Sequence, residues 1–70
     1  MTQQIRVVYK ESNKKVVGFI DAVITYKNVI EPTLEADGFK VASEILSFDD
    51  NEKITNDKLQ VNAKGVASKV

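Results

Sequence analysis

The sequence contains neither cysteine nor histidine. Without cysteine the chain can form no disulfide and offers no thiolate as a nucleophile or metal ligand. Without histidine it lacks the commonest metal ligand and the one side chain that titrates near neutral pH without special tuning. Its serines therefore have no histidine to activate them, and its three isolated glycines form no phosphate-binding pattern. We expect no enzymatic activity, no metal and no cofactor.

The chain also has no net charge, because ten basic residues balance ten acidic ones. A neutral chain has no electrostatic footprint for nucleic acid or for an anionic membrane. No apolar run approaches the roughly 20 residues that span a bilayer. Residues 1–4 lack the charged and apolar regions of a signal peptide. We therefore expect no membrane association and a protein that is cytoplasmic as synthesised.

The length of 70 residues predicts a single small domain over residues 1–70. A domain of this size buries only about 60% of the surface that its unfolded chain exposes, so it is marginally stable alone. Oligomerisation or incorporation into a larger assembly is a natural source of additional stability. Residues 64–70 are small, polar or basic, which predicts a loosely held tail.

The clearest structural signal is a β-hairpin formed by residues 3–10 and 15–26. In the first arm Ile5, Val7 and Tyr9 recur at every second position, as in a half-buried strand. The second arm has small or apolar residues at the same spacing, namely Val16, Gly18, Ile20, Ala22, Ile24 and Tyr26. The two arms therefore each have one dry face.

A two-residue loop at Ser12 and Asn13 makes these dry faces coincide. Tyr9 then lies opposite Val16, Val7 opposite Gly18, and Ile5 opposite Ile20, while Glu11 faces Lys14 at the turn. A register slipped by one residue would place Asp21 opposite Ile5 and spoil the match.

The remaining chain indicates further strands and turns. Pro32 ends the long strand and begins a loop with at most a helical turn. Residues 39–42 favour a strand, residues 43–48 fit either a strand or a helix, and residues 49–52 form a turn. Two further short strands are predicted at 53–55 and 59–63.

These elements predict an all-β fold, a small antiparallel sheet or sandwich of four or five strands organised on the hairpin. The alternative is an α+β domain with one helix at about 33–47. The predicted core consists of Ile5, Val7, Tyr9, Val16, Ile20, Ala22, Ile24, Ile45, Leu59 and Val61.

Val17, Phe19 and Val23 lie on the nominally wet face of the long strand, so both of its faces carry apolar residues. Strands that are dry on both sides are normally covered twice, and a chain this short has little left to do the covering. These three residues are therefore the predicted interface with a protein partner or with another copy of the chain.

Two charged clusters have simpler interpretations. The run of Asp49, Asp50, Asn51 and Glu52 lacks the glycine and glutamate spacing of a calcium-binding EF-hand loop, which favours a solvated turn. The basic residues of the hairpin, with aromatic residues nearby, suggest a single-stranded nucleic-acid binder as a minor alternative. The zero net charge disfavours that alternative.

The segments from Ile5 to Lys10 and from Lys15 to Phe19 resemble the opening of short proteins of Gram-positive phage tail and host-recognition modules. A later segment, Lys58 to Asn62, resembles their C-terminal part, although Ser12 and Asn13 replace the usual glycine of the first turn. The resemblance implies a non-enzymatic structural component of a virion, or an accessory to one, that acts through assembly. The alternative is a small regulatory protein, such as an inhibitor that adds a strand at the exposed edge of residues 3–10.

Overall fold

The computed structural model describes residues 2–70 and shows a mainly β protein with antiparallel sheets, as the sequence predicts. Within that range the chain forms six strands, one short α-helix and one turn of 3₁₀-helix at Asn56–Lys58. The strands and the helix, in chain order, are β1 (Thr2–Lys10), β2 (Lys15–Asp21), α1 (Glu31–Ala36), β3 (Phe39–Val41), β4 (Leu46–Asp49), β5 (Leu59–Val61) and β6 (Ala67–Lys69).

Strand β1 is the centre of the main sheet. It pairs with β2 along one edge and with both β3 and β4 along the other. β3 and β4 run along β1 as two halves of one broken strand, interrupted by a bend at residues 42–45. The prediction that residues 3–10 offer an exposed edge is therefore wrong, because both edges of β1 are occupied.

The β1–β2 hairpin exists, but its register differs from the predicted one. Tyr9 lies opposite Val16 as predicted, and a β-bulge then shifts the pairing by one residue. As a result Val7 lies opposite Phe19 and Ile5 lies opposite Asp21. This is the slipped register that the sequence pattern disfavoured.

The turn and the end of β2 are set by polar side chains. The loop spans residues 11–14 rather than two residues, with Lys14 at φ 58° and its N–H donating to the Lys10 carbonyl at 2.8 Å. Strand β2 ends at Asp21 rather than at residue 26. The Asp21 carboxylate accepts the Val23 N–H at 3.0 Å, and its carbonyl accepts the Ile24 N–H at 3.0 Å. Such local hydrogen bonds turn the chain away from the inter-strand hydrogen bonds of the sheet and so end the strand.

The hydrophobic core lies between the main sheet and the β5–β6 hairpin. Ile5, Val7 and Tyr9 form its floor and Leu59 lies above them, which confirms these four predicted core residues. The predicted residues Val16 and Val61 are half-buried against the cluster. The sequence missed three buried members of the core, namely Ala42, Phe48 and Ala67.

Four other core predictions fail for identifiable reasons. Ile24 and Ile45 are 41% and 48% exposed, because one follows the end of β2 and the other lies in the bend before β4. Ile20 and Ala22 are half-buried but stand outside the core cluster. The bulge turns Ile20 to the opposite face of the sheet, where it pairs with Arg6.

The second face of the sheet carries buried Val8 and is approached by the chain that follows β2, with buried Tyr26. Helix α1 has Pro32 in its first turn and packs against β3. It is much shorter than the alternative helix at 33–47, and β3 confirms the predicted strand at 39–42. Residues 53–55 form no strand. The predicted loose tail at 64–70 instead contains β6, which pairs with β5.

Candidate functional site: the outer edge of β2

The predicted interface residues lie on or just after an edge strand. Val17, Phe19 and Val23 are 44%, 39% and 84% exposed. β2 pairs with β1 along one edge, and no further strand pairs with its other edge within residues 2–70. Edge strands with apolar side chains are ready templates for association with another chain. We call Phe19, Val23 and the backbone of β2 between Val17 and Asp21 the β2 surface.

The structure brings two of the three predicted residues together. Phe19 and Val23 line one groove of ≈ 380 Å³ with Ile5, Asp21 and the start of β1. Phe19 reaches this groove because the register places it opposite Val7, on the core side of the sheet at its margin. The Asp21 turn then directs the chain so that Val23 lies nearby. The groove has an apolar wall beside an acidic side chain.

Val17 is separated from this groove. It lies at the bulge, and its backbone carbonyl accepts a hydrogen bond from the Asn56 side-chain amide at 3.3 Å. The 3₁₀ turn that carries Asn56 contacts β2 at this end of the strand. The outer edge of β2 at Val17 is therefore hydrogen-bonded within the protein.

Val23 also lines a second groove, of ≈ 600 Å³. Its wall includes Arg6, whose Nη1 donates to the Ala22 carbonyl at 2.6 Å and whose guanidinium lies 5.0 Å from the centre of the Tyr26 ring. The Arg6 Nε is buried and has no hydrogen-bond partner among the described residues. Exposed Ile24 extends the apolar surface of Val23 along this groove.

The aromatic residues near the basic cluster are not exposed platforms. Tyr9 and Tyr26 are buried, and each ring lies beneath a cation, Lys14 at 5.7 Å and Arg6 at 5.0 Å. Of the three aromatic residues that the sequence places near these basic residues, Phe19 is the exposed one.

Among residues 2–70, two lysine–carboxylate pairs lie at the surface. The Lys40 ammonium lies 3.4 Å from the Glu11 carboxylate. Its hydrogen bond to Glu11 and the negative charge of Glu11 raise the pKa of Lys40. The Lys58 ammonium lies 4.0 Å from the Glu52 carboxylate.

The acidic run at residues 49–52 forms the predicted turn, with the Glu52 N–H donating to the Asp49 carbonyl at 3.0 Å. No group of three or more histidine, cysteine, aspartate or glutamate side chains in residues 2–70 is arranged to hold a metal ion. Nearby, the Thr55 hydroxyl donates to the Asp57 carboxylate and lowers the pKa of that group.

One carboxylate links distant parts of the fold. Glu44, in the bend between β3 and β4, accepts the Ala67 N–H at 3.1 Å and so holds the start of β6. That hydrogen bond lowers the pKa of Glu44, with help from the Ser43 hydroxyl. Nothing in the local sequence indicates this contact, because the two residues lie 23 positions apart.

No helix within residues 2–70 has the length and apolar character needed to cross a membrane. Comparisons with protein-family models, with curated proteins and with solved structures give no significant match to this chain. The geometry of the β2 surface is therefore the main guide to function.

Proposed function

We propose that this protein is a non-enzymatic interaction module that binds another protein surface through the β2 surface. The observation that carries the proposal is the exposed pair of Phe19 and Val23 beside an unpaired strand edge. Exposed apolar patches next to open sheet edges favour protein–protein contacts. The more specific form of the proposal is a small structural or accessory component of a phage virion, supported by the resemblance of the hairpin segments.

A second candidate is a small regulatory protein that adds a strand to its target. The structure excludes β1 as the site of addition, since both its edges are paired, but the outer edge of β2 offers that possibility. Burial of Tyr9 and Tyr26 and the balanced charge favour either of these candidates over a nucleic-acid binder.

The test compares partner binding by three variants of the affinity-tagged protein. We expect Phe19→Ser and Val23→Ser to lose a partner that co-purifies with the wild type in fixed stoichiometry. Val29→Ser is the matched control, because Val29 is 67% exposed but belongs to the turn before α1, away from the β2 surface. Circular dichroism of each variant checks the fold. Retention of the partner by both β2-surface variants would contradict the proposal.

The identity of the co-purifying partner distinguishes a virion component from a regulatory protein and from a nucleic-acid binder. A virion component co-sediments with phage particles at a fixed number of copies per particle. A regulatory protein is absent from particles and is bound one-to-one to a host protein. A nucleic-acid binder loses affinity steeply as salt increases and on replacement of Arg6 or Lys15.

A further inference from the structure

We infer that the ≈ 600 Å³ groove beside Arg6 binds the free C-terminal carboxylate of a peptide whose last residue is apolar. Arg6, Ser43 and residues 22–28 line this groove, which we call the Arg6 groove. The inference goes beyond the proposed function, because Phe19 does not line this groove and is not needed for it. Three features support the inference: the unsatisfied guanidinium, the charge of the groove wall and its mixture of apolar and polar side chains.

The fold leaves the charge of Arg6 without a carboxylate partner. Arg6 lies on β1 between the core residues Ile5 and Val7, so its side chain leaves the opposite face of the sheet, where it is half-buried. No carboxylate among residues 2–70 forms an ion pair with it. Its neighbours are the Ala22 carbonyl and the Tyr26 ring, which carry no charge. Charges held partly out of water ordinarily have a partner of opposite sign, so this site favours an anion.

Two of the three guanidinium nitrogens are also free to form hydrogen bonds. Nη1 donates to the Ala22 carbonyl at 2.6 Å. Nε is buried and has no partner among the described residues. Nη2 likewise has no hydrogen bond to residues 2–70 but, unlike Nε, it is not buried. We therefore assign the contact with the carboxylate to Nη2, since hydrogen bonds between an ionised donor and an ionised acceptor are the strong ones.

The charge of the groove wall selects an anion over a neutral ligand. Lys27 also lines the Arg6 groove, and it forms no ion pair among residues 2–70. No aspartate or glutamate within that range lines the groove. The wall thus carries two positive charges and no negative one, although the chain as a whole is neutral. A wall of one sign raises the local concentration of ligands of opposite charge.

The other side chains of the wall indicate what carries the carboxylate. Val23 and Ile24 are 84% and 41% exposed, so an apolar side chain of the ligand would cover surface that is now in water. Thr25 and Asn28 provide hydroxyl and amide groups, which match the N–H and C=O groups of a peptide. A phosphate ion would leave the apolar residues uncovered, and a fatty acid would leave the polar ones without partners. The C-terminus of a peptide with an apolar last residue satisfies both.

The test uses N-acetylated tetrapeptides with every amino acid in turn at the last position, each made with a free C-terminal carboxylate and as the C-terminal amide. NMR titration of the whole chain measures their binding through the backbone amide resonances of residues 22–28. We expect free-acid peptides that end in valine, leucine or isoleucine to bind. The corresponding amides should bind about tenfold more weakly, because they lose the charge-assisted hydrogen bond.

Variants of the protein locate the site. Arg6→Gln should weaken binding of the free-acid peptides about tenfold, and Lys27→Gln, at a more exposed charge, about two- to fivefold. Lys10→Gln is the matched control, because Lys10 is a cation of the same strand that does not line the Arg6 groove. Circular dichroism checks the fold of each variant. The comparison of free acid with amide uses the wild type, so it tests the inference even if Arg6→Gln does not fold.

The inference is wrong if free-acid and amide peptides bind equally, or if neither binds. It is also wrong if inorganic phosphate or decanoate shifts these resonances and no free-acid peptide does. Phe19→Ser should bind the peptides as the wild type does. Loss of a protein partner by Phe19→Ser, with no peptide binding by the wild type, would leave the proposed interaction module standing and the inference wrong. Peptide binding with no partner that depends on Phe19 would give the reverse.

Discussion

At the scale of single residues, two features of the structure explain why residue 65 is glycine. Its φ is +79°, in the region that L side chains rarely adopt, and a Cβ there would lie 2.8 Å from the Tyr9 hydroxyl oxygen. Tyr9 is buried, so its ring has little freedom to move away. In the sequence Gly65 is only an isolated glycine. Its close approach to Tyr9 could not be predicted, because it brings the β5–β6 loop against a residue of β1 that is distant in sequence.

Gly38 provides a matched comparison, since its φ is +87° and a Cβ would meet no atom within 4 Å. We expect Gly38→Ala to cost about 1–2 kcal/mol of unfolding free energy from backbone conformation alone. Gly65→Ala should cost about 1–3 kcal/mol more, through the overlap with Tyr9. Urea unfolding followed by circular dichroism measures both.

A double-mutant cycle identifies the cause of the additional loss at Gly65. Tyr9→Phe removes the hydroxyl oxygen that a new Cβ would meet, so Gly65→Ala should be less destabilising in that background. Equal losses in the two backgrounds would show that the close approach to Tyr9 is not responsible.

At the scale of secondary-structure elements, β6 depends on a carboxylate from another part of the chain. The Ala67 N–H holds the pKa of Glu44 below its unfolded value of 4.5. Because the folded pKa is the lower one, this contribution to stability is fully present above pH 4.5. It is lost as the pH falls through the folded pKa.

We expect Glu44→Gln to reduce the unfolding free energy by about 1 kcal/mol at neutral pH, since the glutamine keeps an acceptor oxygen but loses the charge. The difference between wild type and variant should shrink as the pH falls below 4.5. Urea unfolding across this range tests the prediction. The pKa of Asp57 is also lowered, but that group is present in both proteins and cancels in the difference. A difference independent of pH would contradict the role of the Glu44 charge.

The hairpin register shows how far sequence patterns can determine pairing. The hairpin and the Tyr9–Val16 pair follow from alternation, and the structure confirms both. The bulge does not follow, because Val16 and Val17 are both apolar, as are Phe19 and Ile20. Apolar residues on both faces fit the slipped register at every pair except Ile5 with Asp21, so periodicity cannot position the extra residue.

NMR spectroscopy tests this register directly. Val7 and Phe19, and likewise Ile5 and Asp21, form non-hydrogen-bonded pairs, in which opposite Cα atoms are closest, about 4.5 Å apart. We expect strong Hα–Hα nuclear Overhauser effects within both pairs. An effect between Ile5 and Ile20 in their place would support the register that alternation predicts.

Local sequence patterns could not predict some other elements, because the partners of these elements are distant in sequence. β6 has little strand signal of its own, and its pairing depends on β5 and on Glu44. The bend at 42–45 follows from fitting β3 and β4 along one edge of β1. The exposure of Val17, Phe19 and Val23 was predicted, yet Phe19 lies on the core side of the sheet and not on its wet face.

At the scale of the whole molecule, the core is closed by a very small second layer. β5 and β6 are three-residue strands that form their own two-stranded sheet and supply buried Leu59 and Ala67 to the core. Within residues 2–70, no other strands lie outside the main sheet to cover this side of it. The stability of the molecule should therefore depend on this hairpin as strongly as on the main sheet.

Leu59 and Ile45 test this dependence, because the sequence predicts both as core residues and the structure separates them. Leu59 is 4% exposed and Ile45 is 48% exposed. Leu59→Ala should cost about 2–5 kcal/mol, whereas Ile45→Ala should cost less than about 1 kcal/mol. A domain of this length has a total stability of about 4–10 kcal/mol, so the first loss is a large share of it. We expect the thermal midpoint of Leu59→Ala to fall sharply, in a single transition seen alike by tyrosine fluorescence and circular dichroism. Similar midpoints for the two variants would show that the β5–β6 layer does not close the core in this way.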